Sequence, residues 1–160
     1  MDIQKFEELE QELGTQLTIG MLAWYAISSD YHSLKEDFIR KYKGYVDWYA
    51  ISKFQILSED FIREFQDRLD LRRISYFQKL SEDFIREFQD KLDWDCISIN
   101  QELSEDFIRE FKDKVNWMYI SHSQKLSEEF ISEFKDKIWL EYLKLNQNIT
   151  SEIKNQFIIF

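Results

Sequence analysis

The side chains of this sequence that can bind metals or act in catalysis are two histidines, one cysteine and many carboxylates. His32 and His122 are isolated from each other, and Cys96 has no second cysteine at the spacing of a metal site. We therefore expect no metal and no other cofactor. A single cysteine also forms no internal disulfide, so we interpret Cys96 as a small apolar core residue in a protein of a reducing compartment.

Other kinds of catalysis have no supporting motif. A nucleophilic site needs a serine or cysteine beside a histidine and an orienting acid, whereas the serines here precede helix-forming segments. The glycines Gly14, Gly20 and Gly44 form neither a phosphate-binding loop nor a dinucleotide fingerprint. A carboxylate pair acting as acid and base is compatible with the composition, but carboxylates at helix starts are ordinarily solvated. The sequence predicts a protein that is not an enzyme.

Acidic residues outnumber basic ones by 31 to 21, which gives a formal net charge of -10. This sign disfavours direct binding to nucleic acid or to anionic membranes. The longest apolar stretch, residues 19–27, is too short to cross a bilayer. The N-terminus is acidic, unlike the basic start of a signal peptide, so we expect an intracellular protein that is neither secreted nor membrane-bound.

Tandem repetition is the dominant feature of the chain. Four consecutive units of 23 residues occupy residues 51–73, 74–96, 97–119 and 120–142. The first two are identical at 17 of 23 positions. A divergent copy precedes them at residues 27–50, and a truncated copy follows at residues 143–160. We expect one repeat domain over residues 1–160, with residues 1–26 as an atypical N-terminal cap.

The cap is predicted to contain two helices. An apolar stripe on the first, acidic helix consists of Ile3, Phe6, Leu9 and Leu13. Gly14 suits the end of that helix, and Thr15 can start a second one that continues through Trp24.

The first half of each unit is predicted to form a helix, here called helix A. Ser81 precedes an acidic pair and can accept from the first free backbone N–H groups of such a helix. The same cap recurs at Ser58, Ser104, Ser127 and Thr150. One face of the helix carries Phe84, Ile85, Phe88 and Leu92. We expect about 11 residues in this helix. Two acid–base pairs are predicted on its outer face, Glu87 with Lys91 and Glu110 with Lys114.

The second half is predicted to form a shorter helix, helix B, which begins at Trp94 and which Asp93 can cap. Serines small enough to allow close helix approach recur at Ser52, Ser75, Ser98 and Ser121. Glutamines recur at Gln55, Gln78, Gln101, Gln124 and Gln147. We predict that each glutamine bonds to exposed backbone at a helix end or turn, because a buried amide without partners is costly. The alternative is a solvent-facing glutamine that recurs only through recent duplication.

Helices of these lengths are marginal in water, so each pair must be stabilised by stacking on the next pair. The predicted fold is therefore all-α, an α-solenoid of stacked short helix pairs. The string LSEDFIREFQDKLDW, which ends at Trp94 and is followed by Ile97, Ser98 and Gln101, resembles repeats of uncharacterised proteins from amoeba-infecting giant DNA viruses. The resemblance covers about residues 27–149 and implies a viral origin, in the host cytoplasm or the virion, and a helical-repeat fold. It implies no activity and no catalytic residue.

Positions that differ between copies are the candidates for binding a partner, and they cluster in helix B and the following turn. Several are aromatic, and rigid aromatic groups give contact area at low entropy cost. The candidate partner-binding residues are Tyr49, Phe54, Arg72, Tyr76, Phe77, Met118 and His122. The sequence thus predicts a non-enzymatic helical-repeat scaffold for protein–protein interaction with an unidentified partner. Neutral drift on a solvated face is the alternative interpretation.

Two further functions fit the same sequence. The apolar C-terminal residues 157–160 are expected to fold back onto the last helix pair, or else to form a homo-oligomer as a structural or virion component. An acidic solenoid can also mimic nucleic acid and occupy a basic protein.

Overall fold

The computed structural model describes residue 11, residues 21–30 and residues 34–158 of the chain. Several residues with sequence predictions lie outside this part, namely Ile3, Phe6, Leu9, Leu13, Gly14, Thr15, Gly20, His32, Ile159 and Phe160. The chain divides into two compact units, Met1–Ile56 and Leu57–Phe160. The sequence analysis predicts one repeat domain over residues 1–160, and this division into units does not test that prediction.

The described part of the chain is all-helical, with twelve helices joined by turns and no strand. The first unit contains α1 (Met21–Asp30), α2 (Glu36–Lys41) and α3 (Trp48–Phe54). The second unit contains α4 (Glu59–Glu64), α5 (Leu71–Phe77), α6 (Glu82–Glu87), α7 (Trp94–Asn100), α8 (Glu105–Glu110), α9 (Trp117–Ser123), α10 (Glu128–Glu133), α11 (Leu140–Leu145) and α12 (Ser151–Ile158). The even-numbered helices are the A helices, and the odd-numbered ones from α3 onward are the B helices.

The helix pairs stack in repeat order within each unit. α1 packs on α3 in the first unit, and α5, α7, α9 and α11 pack on one another in succession in the second. The A helices bury the predicted apolar face, since Phe84 and Ile85 are fully buried and Phe88 and Leu92 nearly so. The predicted fold, an α-solenoid of stacked helix pairs, is confirmed. Within the described ranges, no helix is both long enough and apolar enough to span a bilayer.

Side-chain caps start most helices at the predicted residues. Ser81 Oγ accepts from the Phe84 N–H at 3.1 Å, and Asp93 Oδ1 accepts from the Cys96 N–H at 2.9 Å. Hydroxyl caps recur at Ser58, Ser104, Ser127 and Thr150. The side chains of Lys35 and Trp139, which stand in cap positions, make no cap hydrogen bond.

The A helices are shorter than predicted. α6 has six residues and ends at Glu87. Beyond this end, Gln89 Nε2 donates to the Arg86 carbonyl at 3.2 Å. α8 ends at the equivalent residue, Glu110, although Lys112 stands at the position of Gln89. After α6 the chain turns, and the Leu92 N–H donates to the Phe88 carbonyl at 3.1 Å. The predicted apolar face is therefore split between a helix and the turn that follows it.

The structure corrects the two predicted acid–base pairs, Glu87 with Lys91 and Glu110 with Lys114. Because α6 ends at Glu87, the later lysine does not lie one helical turn beyond it. Glu87 instead accepts from Arg63 Nε at 2.8 Å, and Lys114 donates to Asp90 at 2.7 Å. These ionic contacts join neighbouring repeats.

The repeated glutamines form a ladder of hydrogen bonds between repeats. Gln101 is buried, and its Oε1 accepts from the Leu80 N–H at 3.0 Å. Its Nε2 donates to the carbonyls of Ser75 and Gln78 at 3.1 and 2.7 Å. Equivalent bonds join Gln124 to Leu103, Ser98 and Gln101, and Gln55 to Leu34 and Ser28. The predicted role of these glutamines is confirmed, and the solvent-facing alternative is wrong for them.

The last repeat departs from this prediction, because Gln147 is exposed and Asn146 takes the place of the ladder glutamine. α11 has six residues whereas α9 has seven, so the residue that ends the helix comes one position earlier. Asn146 Nδ2 donates to the carbonyls of Ser121 and Gln124, each at 2.8 Å. The shorter side chain of asparagine thus makes the ladder bonds at the end of a helix that is one residue shorter.

The recurrent serines of the B helices make hydrogen bonds that the sequence analysis did not predict. The Ser98 hydroxyl donates to the Trp94 carbonyl at 2.6 Å and accepts from the Asn116 N–H at 2.9 Å. The hydroxyls of Ser75 and Ser121 accept in the same way from the backbone N–H of Asp93 and Trp139, the residues that precede the next B helices. The serines are buried, as their small size predicts, and their hydroxyls also link each B helix to the start of the following one.

Candidate protein-binding surface

An exposed aromatic pair lies at the C-terminal end of α5 in the second unit. Tyr76 and Phe77 have exposed fractions of 49% and 47%. Their ring centroids are 4.6 Å apart in an edge-to-face arrangement. The structure therefore brings two of the predicted binding residues together.

The other candidates of this unit lie at separate places. Arg72 is exposed at the start of α5, where its Nε lies 3.2 Å from an Asp93 carboxylate oxygen. Met118 is half-buried on α9, and His122 is exposed on the same helix with its Nδ1 3.0 Å from Ser123 Oγ. α7 packs on both α5 and α9. The predicted ridge of this unit therefore consists of two groups of residues, one on α5 and one on α9.

Two candidates, Tyr49 and Phe54, belong to the first unit. Tyr49 is exposed on α3. Phe54 is half-buried at the end of that helix, with Lys53 Nζ 4.8 Å from its ring centroid. We consider these two residues apart from the surface of the second unit.

A groove of about 500 Å³ begins at the aromatic pair. It is lined by the end of α5, by the loop that leads to α6 and by the loop after α7. Its lining side chains include Tyr76, Phe77, Lys79, Glu82, Asn100 and Glu102. The groove therefore offers both apolar surface and hydrogen-bonding groups, which is the combination that binds an extended peptide segment.

A second groove, of about 900 Å³, adjoins the first and shares Asn100 and Glu102 with it. Its further lining residues include Ile99, Ser123, Lys125, Asn148 and Ile153. The two grooves form one continuous surface along the loops of successive repeats, here called the loop groove.

Ionic contacts hold one wall of the loop groove in place. Glu82 Oε1 accepts from the Ser104 N–H at 2.7 Å, and Glu82 Oε2 lies 3.6 Å from Arg86 Nη2. The hydrogen bond to Glu110 raises the pKa of Arg86 above its ordinary value, although burial acts in the opposite direction. Glu102, in contrast, is exposed on the loop after α7 and open to a partner.

Asp93 and Cys96 show how the start of α7 is stabilised. Burial acts to raise the pKa of Asp93, but hydrogen bonds from the Cys96 N–H and the charge of Arg72 outweigh it and hold this pKa below its ordinary value. Burial, with the neighbouring Asp93 carboxylate, raises the pKa of the Cys96 thiol. A protonated, buried thiol fits the predicted core role of this residue better than that of a nucleophile.

Sequence analysis missed the loop residues of the groove, although the sequence contains a signal for them. The position after each ladder glutamine varies between copies, as Ile56, Lys79, Glu102 and Lys125. Variation at a position next to an unchanged one indicates a side chain that stacking does not require. The prediction favoured helix B instead, because the aromatic residues lie there.

No group of three His, Cys, Asp or Glu residues in the described ranges is arranged to hold a metal ion. The chain matches no protein-family model, no curated protein and no solved structure.

Proposed function

We propose that this chain is a non-enzymatic helical-repeat scaffold whose second unit binds an extended segment of a protein partner in the loop groove. The observation that carries the proposal is the pair Tyr76 and Phe77, two large side chains that stay about half-exposed at the groove. Exposed aromatic residues of this kind gain most from burial and are typical anchors of protein interfaces.

Comparison between repeats supports a binding role for this pair. At the corresponding positions, α7 carries Ile99 and Asn100 and α9 carries His122. α5, α7 and α9 nevertheless have seven residues each and the same glutamine at the C-terminal cap. The aromatic pair is therefore not needed to build a repeat.

The loops that line the groove are held in place before any partner binds. Gln101 fixes the loop before α6 through its bond from Leu80, and Gln124 fixes the next loop through its bond from Leu103. A surface that is already ordered loses little entropy on binding, so a short segment can bind it with useful affinity.

A random peptide display library, selected on the full chain, tests the proposal. Affinities of selected peptides are then compared between the wild type and the double variant Tyr76→Ser, Phe77→Ser. We expect at least a tenfold loss, since truncating a buried anchor costs more than about 1.4 kcal/mol. Unfolding curves of both proteins show whether the fold is retained.

Trp139→Asp is the matched control. It also removes an exposed aromatic side chain, but Trp139 does not line the groove. The same peptides should bind this variant with unchanged affinity. Unchanged affinity in the double variant contradicts the proposal. Binding that persists there and weakens steeply with added salt supports the nucleic-acid mimic instead.

A further inference from the structure

The last B helix exposes a row of apolar side chains. Trp139, Tyr142 and Leu145 follow one another at spacings of three, which places them along one side of α11. Trp139 and Leu145 are 54% and 64% exposed, and Tyr142 is half-buried. His122 of α9 extends the row, with its ring centroid 6.3 Å from that of Tyr142 in an edge-to-face arrangement. These four residues are called the C-terminal aromatic row.

The interior repeats carry polar groups where this row begins. Asp93 and Asn116 stand at the position of Trp139, and each caps its helix. Each also contacts a polar side chain of the preceding repeat, Arg72 at 3.2 Å and Asp95 at 2.7 Å respectively. At the start of the last B helix, an exposed tryptophan thus replaces a polar residue with internal partners, and the helix loses its side-chain cap.

The hydrogen-bond ladder between repeats closes at this end of the chain. Lys144 stands at the position of Ser98, so α11 has no serine that could accept from the start of a further B helix. The side-chain oxygen of Asn146 accepts from the Asn148 N–H at 2.8 Å, whereas that of Gln124 accepts from a neighbouring repeat. A second chain stacked head to tail on α11 would therefore find neither the ladder amide nor the serine hydroxyl of an interior repeat.

Charge favours a second copy of the same chain as the occupant. Residues 118–160 contain six acidic and five basic residues, a net charge of -1 out of the -10 of the whole chain. The rest of the chain therefore repels a second copy, while this end does not. A nearly neutral aromatic surface has no charge with which to select a basic partner, but it is complementary to itself.

We propose that two copies of this chain form a closed, symmetric dimer in which the C-terminal aromatic rows pack against each other. The contact buries the same side chains on both copies, as twofold symmetry requires. It uses a different surface from the loop groove and does not depend on a partner there.

Sedimentation equilibrium of the full chain over about 1 to 200 µM, a range that spans weak dimers, tests this proposal. The weight-average mass should rise from 19.7 kDa towards twice that value. In Trp139→Asp, which restores the aspartate found at the interior caps, the dissociation constant should rise at least tenfold. The midpoint of thermal unfolding, measured at low concentration, should not fall, because the new carboxylate can cap α11 as Asp93 caps α7.

Phe77→Ser is the matched control, since it removes an exposed aromatic side chain far along the stack and should dimerise as the wild type does. A wild type that stays monomeric over the whole range overturns the proposal, as does a mass that grows beyond the dimer. Equal weakening of dimerisation by both variants also overturns it.

Discussion

Two junctions between neighbouring B helices can be compared, the one between α7 and α9 and the one between α9 and α11. They differ in their exposed side chains but have the same backbone hydrogen bond. At the first, the Asn116 side chain caps α9 and donates to Asp95 at 2.7 Å. At the second, the Trp139 side chain makes no cap. Nevertheless Ser98 accepts from the Asn116 N–H at 2.9 Å, and Ser121 accepts from the Trp139 N–H at 3.0 Å. The hydrogen bond between the serine of one B helix and the start of the next therefore uses the backbone N–H of the cap residue and does not depend on its side chain.

This difference separates the residues that build the stack from those that are open to other uses. Buried serine and ladder amides satisfy backbone groups that water does not reach, so every junction needs them. Exposed and half-buried positions of the B helices have no such requirement and carry Arg72, Asp95 or Met118 at equivalent places. Stability and recognition should consequently respond to different substitutions.

The largest effect is expected for Gln101→Leu, which removes the ladder at one junction. Leucine leaves the Leu80 N–H and the carbonyls of Ser75 and Gln78 without their partner in a buried position. We expect a loss of about 3 to 5 kcal/mol in the free energy of unfolding, measured by urea denaturation.

Gln147→Leu is the control for that measurement, because this glutamine belongs to the same sequence series but is exposed. Its effect should stay within about 0.5 kcal/mol. Equal losses in the two variants would contradict the distinction between ladder and surface amides.

A smaller effect is expected for Ser98→Ala. The substitution leaves the Asn116 N–H without its acceptor, while alanine gains some helix propensity inside α7. The net loss should be about 1 kcal/mol in the free energy of unfolding. Ser123→Ala, at the half-buried end of α9, should change it by less than about 0.5 kcal/mol. A neutral Ser98→Ala would show that the serine contributes only its small size.

The smallest effect concerns acid stability and Asp93. Its pKa in the folded protein is lower than the ordinary value of 3.8, so its contribution is present above that value and is lost as the pH falls through the folded pKa. Asp93→Asn keeps a capping oxygen, as Asn116 shows, but does not titrate. Between about pH 5 and pH 2.5, the wild type should lose up to about 1 kcal/mol more than this variant. Asp136→Asn, an exposed site, is the control.

Much of the fold was predictable from the sequence because the repeats show which residues recur together. Ser81 and Asp93 were identified as caps from their position before an apolar pattern, and Gln101 as a ladder residue from recurrence and the cost of burying an amide. The length of the A helices was not predictable in the same way. An apolar period continues through Leu92, and only the geometry shows that the helix ends at Glu87 and that a turn follows.

The candidate surface was predictable only in part. Exposure of Tyr76 and Phe77 follows from their place outside the repeated inner face. The groove beside them depends on loops from different repeats meeting in space, as at Lys79 and Glu102. The change from Gln147 to Asn146 depends on a helix that is one residue shorter, which periodicity alone does not reveal.

Each ladder glutamine bonds to the repeat directly before its own, and this has an evolutionary consequence. Gln124 bonds to Ser98 and Gln101 of the preceding repeat, and Gln101 bonds to Ser75 and Gln78 of the one before. Excising the block 97–119 would present Gln124 with the same chemical groups that Gln101 meets now. Unequal crossing-over between such genes can therefore lengthen or shorten the protein in whole blocks, and each product still has the ladder bonds at its interior junctions.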